Sequence, residues 1–280
     1  MKDMQDSEIY MAYQRVASSF PFSGYMSLEG GAYFNISRQV LKYLPRGAKI
    51  LDFGAGPCDK TAILQTLGYQ CSAFDDLSDD WHNLDGNRAK ILEFANNIGM
   101  DYHLAPDGFN RFSSCSFDMV MSHDVLEHLH NSPRELLNDL VSLVHPGGYI
   151  FLTVPNAVNI RKRINVLFGR TNLPAFASYY WHPGEWRGHI REYVRDDLEK
   201  LAEFLNLEVI LVRGCDHMLQ KVPVGVRGAY TAITGVFDGW KDSWMLIARK
   251  PHDWVGRREL HRKEFEQVMA TSVGYRYTNE

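Results

Sequence analysis

Ile50-Leu51-Asp52-Phe53-Gly54-Ala55-Gly56-Pro57-Cys58 is an apolar run that ends in a glycine-rich turn. Two glycines one residue apart let the backbone approach a ligand that a Cβ would keep away. Asp75 closes the next apolar run, and its carboxylate can accept hydrogen bonds from both hydroxyls of a ribose. Asp76 follows directly and could share that role. Together these features predict a nucleoside-cofactor site at the carboxyl ends of two parallel strands.

Short apolar runs alternate with amphipathic segments from Lys49 to Pro251. This alternation is typical of β-α units that build a mostly parallel sheet with helices on both faces. The fold class predicted is therefore α/β, with a Rossmann-like, seven-stranded sheet. Its strands are predicted at residues 49–53, 71–75, 101–104, 117–122, 149–154, 207–212 and 244–248.

Three regions fall outside this alternation and define the expected domain organisation. Residues 1–48 are expected to form an N-terminal helical cap, residues 49–250 the main domain, and residues 251–280 a helical tail. The segment 156–193 lies within the main domain; it is too long for a plain connection and too rich in aromatic residues for a linker. We expect it to be a lid over the site and call it the insertion.

Composition excludes several classes of protein. A net charge of −4 gives no global attraction to a polyanion, so a nucleic-acid partner is disfavoured. The four cysteines are too scattered for a zinc or C-x-x-C site. Neither a signal peptide nor a membrane span is recognisable, which leads us to expect a cytoplasmic protein without a membrane partner. A homodimer remains open.

The spacing of the glycine turn bears on which cofactor it binds. A dinucleotide site requires G-x-G-x-x-G, but the last of these positions is Asp59. A carboxylate beside a pyrophosphate would be repelled, so the turn favours a cofactor without phosphates. A nicotinamide-dependent oxidoreductase is therefore the weaker alternative.

At this point the chain resembles the class I S-adenosylmethionine-dependent methyltransferases. The matching elements occur in the family's order, namely Leu51-Asp52-Phe53-Gly54-Ala55-Gly56-Pro57, Phe74-Asp75, Phe117-Asp118-Met119-Val120, Val125-Leu126-Glu127-His128-Leu129 and Pro146-Gly147-Gly148. The resemblance implies S-adenosylmethionine as the cofactor. It also implies that the turn residues Asp52, Gly54, Ala55 and Gly56 flank its methionine part, that Asp75 or Asp76 binds its ribose, and that Ser122 or His123 lies at its exposed edge.

Methyl transfer to a hydroxyl also needs a base or a metal ion to remove the proton. His189, His128, Glu127 and Tyr193 are the candidate catalytic residues. If a helix begins at Asp124, that residue shares one face with Glu127 and His128. With His189 these side chains would suit Mg²⁺ or Mn²⁺, an arrangement that resembles metal-assisted small-RNA 2′-O-methyltransferases and ubiquinone-pathway O-methyltransferases. The alternative is that they only cap helices and form hydrogen bonds.

The insertion is basic although the whole chain is acidic. Its bases are Arg161, Lys162, Arg163, Arg170, Arg187 and Arg191, and Glu185 is the single acid between residues 157 and 191. Aromatic residues are interleaved with them, and such a set suits a sugar or a phosphorylated or nucleotide-linked carbohydrate. The competing interpretation is that the bases are solvated and the aromatic side chains pack the insertion onto the sheet.

The sequence thus predicts an S-adenosylmethionine-dependent O-methyltransferase (EC 2.1.1 type) that acts on a small hydroxyl-bearing molecule. Three alternatives remain: a metal-assisted RNA 2′-O-methyltransferase, a nicotinamide-dependent oxidoreductase, and a non-catalytic partner subunit with the same fold.

Overall fold

The computed structural model describes residues 2–28, 31–107 and 109–273. Seven strands form one sheet: β1 (Lys49–Phe53), β2 (Gln70–Asp75), β3 (Asp101–Leu104), β4 (Phe117–His123), β5 (Val144–Pro155), β6 (Glu208–Cys215) and β7 (Ser243–Arg249). The helices of the described residues are α1 (Lys2–Ser19), α2 (Ala32–Tyr43), α3 (Asp59–Thr66), α4 (Asp80–Asn83), α5 (Asn87–Asn97), α6 (Arg134–Leu143), α7 (Ile160–Leu167), α8 (Phe176–Tyr180), α9 (Arg195–Phe204), α10 (Arg227–Val236) and α11 (Arg262–Val273).

The strand order is β3-β2-β1-β4-β5-β7-β6. All neighbours pair in parallel except β7, which runs antiparallel to both β5 and β6. The predicted Rossmann-like, mostly parallel, seven-stranded sheet is therefore confirmed. Because the order reverses between β1 and β4, a crevice opens at their carboxyl ends, where α/β proteins bind ligands.

One strand begins earlier than predicted. β5 starts at Val144 and includes Pro146-Gly147-Gly148, which the sequence analysis placed before the strand. A Cβ at Gly148 would lie 2.6 Å from the carbonyl oxygen of Asp118, so the missing side chain lets β5 approach β4 closely. The pairing with β4 shifts register in this region.

Alternate side chains of the strands point into two separate cores. Ile50, Met119 and Phe151 face a core completed by helices α1, α2, α3 and α5. Their neighbours Leu51 and Val120 face a second core, to which α6 and α9 contribute Leu140 and Leu198 among others. Burial of both faces explains why the strands read as continuous apolar runs.

The insertion leaves the sheet at the end of β5 and returns to the same place. Asn156 and Tyr193 form an isolated parallel bridge, in which the Ala157 amide donates to the Tyr193 carbonyl at 3.0 Å. Helices α7 and α8 lie between these anchor points. After β7 the chain packs on α6, where the Arg258 guanidinium donates to the carboxylates of Glu135 and Asp139 at 2.6 Å each.

A membrane span would require a long, apolar helix. Among the described residues, no helix has the length and hydropathy to cross a bilayer.

Candidate active site

A cavity of about 920 Å³ opens at the carboxyl ends of β1, β2, β4 and β5. Its size lies in the range of roughly 300–1,000 Å³ that is typical of small-molecule sites. The glycine turn forms one part of its lining, and residues within 123–129 and 187–192 form another. The N-terminal segment before α2 and the loop after β6 complete it.

The turn after β1 has a shape that only glycine adopts easily. Gly54 has a φ of +76°, and its amide donates to the carbonyl of Phe74 at 2.8 Å. A Cβ at this position would lie 2.2 Å from Cγ2 of Val125, closer than any real contact. Gly54 therefore allows the loop after β4 to approach the turn, and Ala55 and Gly56 line the cavity beside it.

The carboxylate of Asp75 lies on the cavity at the end of β2. Its two oxygens accept hydrogen bonds from the amides of Gly56 and Leu77, each at 2.7 Å. These bonds fix the carboxylate while each oxygen keeps a further lone pair for a hydroxyl donor. Burial raises the pKa of Asp75, against the effect of the two amides. Asp76 lines the same wall but is exposed.

Two predicted cofactor residues lie behind the cavity wall. Asp52 is buried and accepts a hydrogen bond from the Thr61 hydroxyl, and burial raises its pKa to about 7. Ser122 is fully buried, with no hydrogen-bond partner for its hydroxyl among the described residues. Neither residue is part of the cavity lining. The prediction that they contact the cofactor directly is therefore corrected: Asp52 supports the turn from behind, and Ser122 supports β4.

His123, in contrast, reaches the cavity from the end of β4. Its Nδ1 lies 3.1 Å from the hydroxyl of Thr153, and its Nε2 is buried without a hydrogen-bond partner among the described residues. Burial and the positive charge of Lys60 lower its pKa well below the usual range. His123 is therefore a neutral imidazole at physiological pH.

The start of α3 supports a cofactor without phosphates. Asp59 is the first residue of this helix, and its carboxylate accepts a hydrogen bond from the Tyr33 hydroxyl at 2.6 Å. A pyrophosphate at this helix N-terminus would meet that carboxylate. Asp75, Asp76 and Asp79 line the same side of the cavity. The surplus of acids suits the positively charged sulfonium and amino groups of S-adenosylmethionine, so the residues present fit that cofactor.

Also on the cavity, Glu127, His128 and His189 form a cluster whose candidate ligand atoms all lie within 4.8 Å of one another. Nε2 of each histidine is 3.9 Å from the same oxygen of Glu127. The Ile190 amide donates to the backbone carbonyl of Glu127 at 2.6 Å, which holds the end of the insertion against the loop after β4. Burial and the charge of Asp124 raise the pKa of Glu127.

Both histidines of this cluster have their other ring nitrogen engaged. Nδ1 of His128 lies 2.7 Å from the carbonyl of Arg187, so it must donate. Nδ1 of His189 lies 2.9 Å from a carboxylate oxygen of Glu192, whose second oxygen is paired with Lys162. In the neutral imidazoles, the lone pairs therefore reside on the two Nε2 atoms that face Glu127. Metal-binding histidines in proteins are oriented in this way.

Two further predictions about this site are wrong. Asp124 does not begin a helix, because it has a φ of +60° and the chain forms only a short 3₁₀ turn at Leu126–His128. It lines the cavity but is not a member of the cluster of Glu127, His128 and His189. Tyr193 is buried in the second core, where its hydroxyl donates to the carbonyl of Leu126 at 3.3 Å. It is not part of the cavity lining.

The cavity also contains residues that the sequence analysis did not identify, including Tyr25, Lys60, Trp81, His217 and Asp242. The Tyr25 and Trp81 rings stack at 5.5 Å. These residues come from five separate segments, and none belongs to a motif that marks a site. Only the tertiary fold brings them together.

The insertion contributes differently from what its composition suggested. Arg161, Lys162 and Arg187 line the cavity, but its aromatic side chains do not. Five of them, Phe168, Phe176, Tyr179, Tyr180 and Trp181, are more than half exposed. They therefore neither stack on a ligand in this cavity nor pack the insertion onto the sheet.

Comparison with known proteins shows which family this chain resembles. A family model described as a methyltransferase domain matches residues 31–212. A ubiquinone biosynthesis O-methyltransferase from Xanthomonas axonopodis pv. citri is 28% identical over 113 residues, which are 40% of this chain and 45% of that relative. The match thus spans less than half the length of the relative.

Two solved structures share the fold. Phosphoethanolamine N-methyltransferase 2 of Haemonchus contortus, in complex with S-adenosyl-L-methionine, aligns with a TM-score of 0.53 and 17% identity over 88% of this chain and 57% of that one. The 1,6-didemethyltoxoflavin-N1-methyltransferase of Burkholderia thailandensis, with S-adenosylhomocysteine bound, aligns with a TM-score of 0.51 and 17% identity over 88% and 90%. The family model covers most of the chain and the site fits the cofactor; the chain belongs to the class I S-adenosylmethionine-dependent methyltransferase family.

Proposed function

We propose that this protein transfers a methyl group from S-adenosylmethionine to a hydroxyl of a small molecule, with a divalent cation bound by Glu127, His128 and His189. One observation carries the proposal. Two imidazole Nε2 atoms, each with its partner nitrogen already engaged, face one carboxylate oxygen beside the cofactor cavity.

Methyl transfer is an in-line displacement in which the acceptor oxygen bonds to the methyl carbon while the carbon–sulfur bond breaks. The cofactor supplies an already activated methyl group, so the protein must hold the acceptor at about 3 Å and exclude water. Asp75 would hold the ribose of the cofactor, and the backbone of Gly54 and Gly56 would flank its methionine part. The cluster of Glu127, His128 and His189 would bind the acceptor within the same cavity.

A hydroxyl differs from an amine because its proton must be removed. A cation held by the cluster would lower the pKa of a coordinated hydroxyl and stabilise the developing alkoxide. Two imidazoles and one carboxylate favour Zn²⁺, Mn²⁺ or Fe²⁺ over Mg²⁺, which prefers oxygen ligands. Without Asp124 the cluster has a single carboxylate, so we favour Mn²⁺ of the two ions that the sequence suggested.

A metal-free version of the reaction uses the same residues. His189 would then accept the hydroxyl proton at Nε2, while Glu192 holds its Nδ1 and stabilises the resulting imidazolium. The two versions differ in their response to chelation. Chelation abolishes turnover if a cation is required and leaves it unchanged if His189 is the base.

We propose an acceptor that carries an anionic group such as a phosphate. Arg161 and Arg187 both line the cavity on the insertion side, and guanidinium groups bind phosphates in a bidentate manner. A sugar phosphate or a nucleotide-linked sugar fits this chemistry. The aromatic residues of the insertion, which prompted the carbohydrate interpretation, give it no support because they do not line the cavity. Nucleic acid remains the alternative acceptor.

The test is methyl transfer from radiolabelled S-adenosylmethionine to a panel of phosphorylated sugars, catechols and short RNAs, after chelation and after addition of Mn²⁺, Zn²⁺ or Mg²⁺. His189→Ala should lose metal binding and turnover, whereas His252→Ala, outside the cavity lining, should retain both. Binding of Mn²⁺ is measured separately by calorimetry. Equal Mn²⁺ binding by the wild type and His189→Ala would refute the metal site, and transfer only to amines would refute hydroxyl methylation.

A further inference from the structure

The insertion exposes an unusual amount of apolar surface. Between residues 164 and 181 its large apolar side chains are 45–83% exposed, and we call this set the insertion patch: Ile164, Val166, Leu167, Phe168, Leu173, Phe176, Tyr179, Tyr180 and Trp181. Leu167 at 83% and Phe168 and Trp181 at 77% are among the most exposed. So many large, exposed apolar side chains within one short stretch indicate an interaction site, because exposing them to water is unfavourable.

The aromatic members of the insertion patch contact one another. The rings of Phe176 and Tyr180 are 5.8 Å apart, and those of Tyr180 and Trp181 are 4.8 Å apart. Tyrosine and tryptophan combine an apolar ring with a polar group, and they are enriched where proteins meet the headgroup region of a bilayer.

The same stretch of chain carries an excess of exposed positive charge. Arg163, Arg170 and Arg187 are exposed within or beside it, and Glu185 is the exposed acid of the same stretch. The chain as a whole has a net charge of −4, so the positive excess is local. A surface that combines exposed apolar side chains with arginines is complementary to a sheet of anionic headgroups over an apolar interior.

We infer that the insertion patch docks the protein on an anionic lipid surface. Arg161 and Arg187 lie on the cavity wall as well as in the insertion, so docking would bring the cavity close to the headgroups. From the sequence we expected no membrane partner, because no segment is long enough to span a bilayer. Peripheral docking needs only exposed side chains, and these become visible once the fold shows that the aromatic residues are not buried.

A second copy of the chain fits the patch less well. A two-fold symmetric dimer would pair the patch with itself and bring the three exposed arginines of both copies into one interface. Like charges facing each other are unfavourable, whereas anionic headgroups neutralise all three. The inference concerns the surface alone and does not depend on the identity of the methyl acceptor.

The test is co-sedimentation of the full chain with vesicles of phosphatidylcholine alone or with phosphatidylglycerol added. Each arginine near an anionic surface contributes about fivefold in affinity, so three predict roughly a hundredfold preference for the anionic vesicles. The preference should decrease as salt is raised. The double variant Leu167→Glu/Phe168→Glu should lose at least about tenfold of the binding.

A matched control carries the same charge change elsewhere. Met4 and Met11 are 76% and 60% exposed on α1, and Met4→Glu/Met11→Glu should bind vesicles like the wild type. Because all four side chains are exposed, urea unfolding should show that both double variants remain folded. Equal binding to the two vesicle types, or retained binding by the patch variant, overturns the inference. A dimer that Leu167→Glu/Phe168→Glu dissociates, without vesicle binding by the wild type, also overturns it.

Discussion

Gly54→Ala is the substitution for which the structure gives the sharpest expectation. The added Cβ would lie 2.2 Å from Cγ2 of Val125, and the residue must also keep a φ of +76°. Gly24 provides the control, since it has nearly the same φ, +75°, but a Cβ there would meet nothing within 4 Å. The pair therefore separates the backbone conformation from the steric clash.

The magnitudes follow from these two contributions. Gly24→Ala should lower the free energy of unfolding by about 1 kcal/mol, because a left-handed conformation costs an alanine about that much. Gly54→Ala should lower it by a further 1–3 kcal/mol, roughly the cost of overpacking. Displacement of the turn should also weaken binding of S-adenosylhomocysteine at least about tenfold, which corresponds to about 1.4 kcal/mol.

Urea unfolding measures the first quantity and calorimetric titration with S-adenosylhomocysteine the second. Val125→Ala in the Gly54→Ala background should recover part of both losses, because it removes the atom that the new Cβ meets. Equal destabilisation by Gly24→Ala and Gly54→Ala, together with unchanged affinity for S-adenosylhomocysteine, would refute the role assigned to this glycine.

Three further predictions concern residues around the cavity. Glu192→Gln should weaken Mn²⁺ binding by about 10–100-fold in calorimetry because it alters the partner of His189 Nδ1, whereas Glu185→Gln should not weaken it. Equal Mn²⁺ binding by the wild type and both variants would contradict the role of Glu192. Asp52→Asn should leave the free energy of unfolding unchanged near pH 4 but raise it by up to about 4 kcal/mol at pH 8. The reason is that the buried carboxyl has a pKa of about 7, so the wild type loses stability as the pH rises towards that value. Parallel pH profiles of the two proteins in urea unfolding would exclude this. Tyr193→Phe should lower the free energy of unfolding by about 1 kcal/mol, because it removes the hydrogen bond to Leu126, and should leave the affinity for Mn²⁺ unaltered. A loss of Mn²⁺ binding in calorimetry would show that Tyr193 acts in the site.

Local pattern was sufficient to predict the sheet and the cofactor wall. Apolar runs identified the central strands β1, β4, β5 and β7 because these are buried on both faces, whereas the edge strands β3 and β6 are partly exposed. Glycine spacing and Asp75 identified the turn because these features act through the backbone and a single strand end. The position of the β5 start was missed because Gly148 serves close strand approach, which resembles a helix stop in sequence.

Long-range contacts explain the predictions that failed. Spacing placed Asp124 with Glu127 and His128 on a helix, but hydrogen bonding of the Asp124 amide to Thr153 holds that residue in a left-handed conformation outside the 3₁₀ turn. Tyr193 stands in the same short motif as His189, yet the bridge to Asn156 turns it into the core. Whether an aromatic residue of the insertion is buried or exposed depends on contacts with the rest of the chain, and composition does not report these.

The central claim is that the cavity binds S-adenosylmethionine beside a metal-binding cluster. Its most direct test is calorimetric titration of the protein with S-adenosylhomocysteine and, separately, with NADH, each before and after addition of Mn²⁺. We expect micromolar binding of S-adenosylhomocysteine, no binding of NADH, and a separate heat of Mn²⁺ binding that His189→Ala removes. Tight binding of NADH, or no binding of either nucleoside compound, would contradict this expectation.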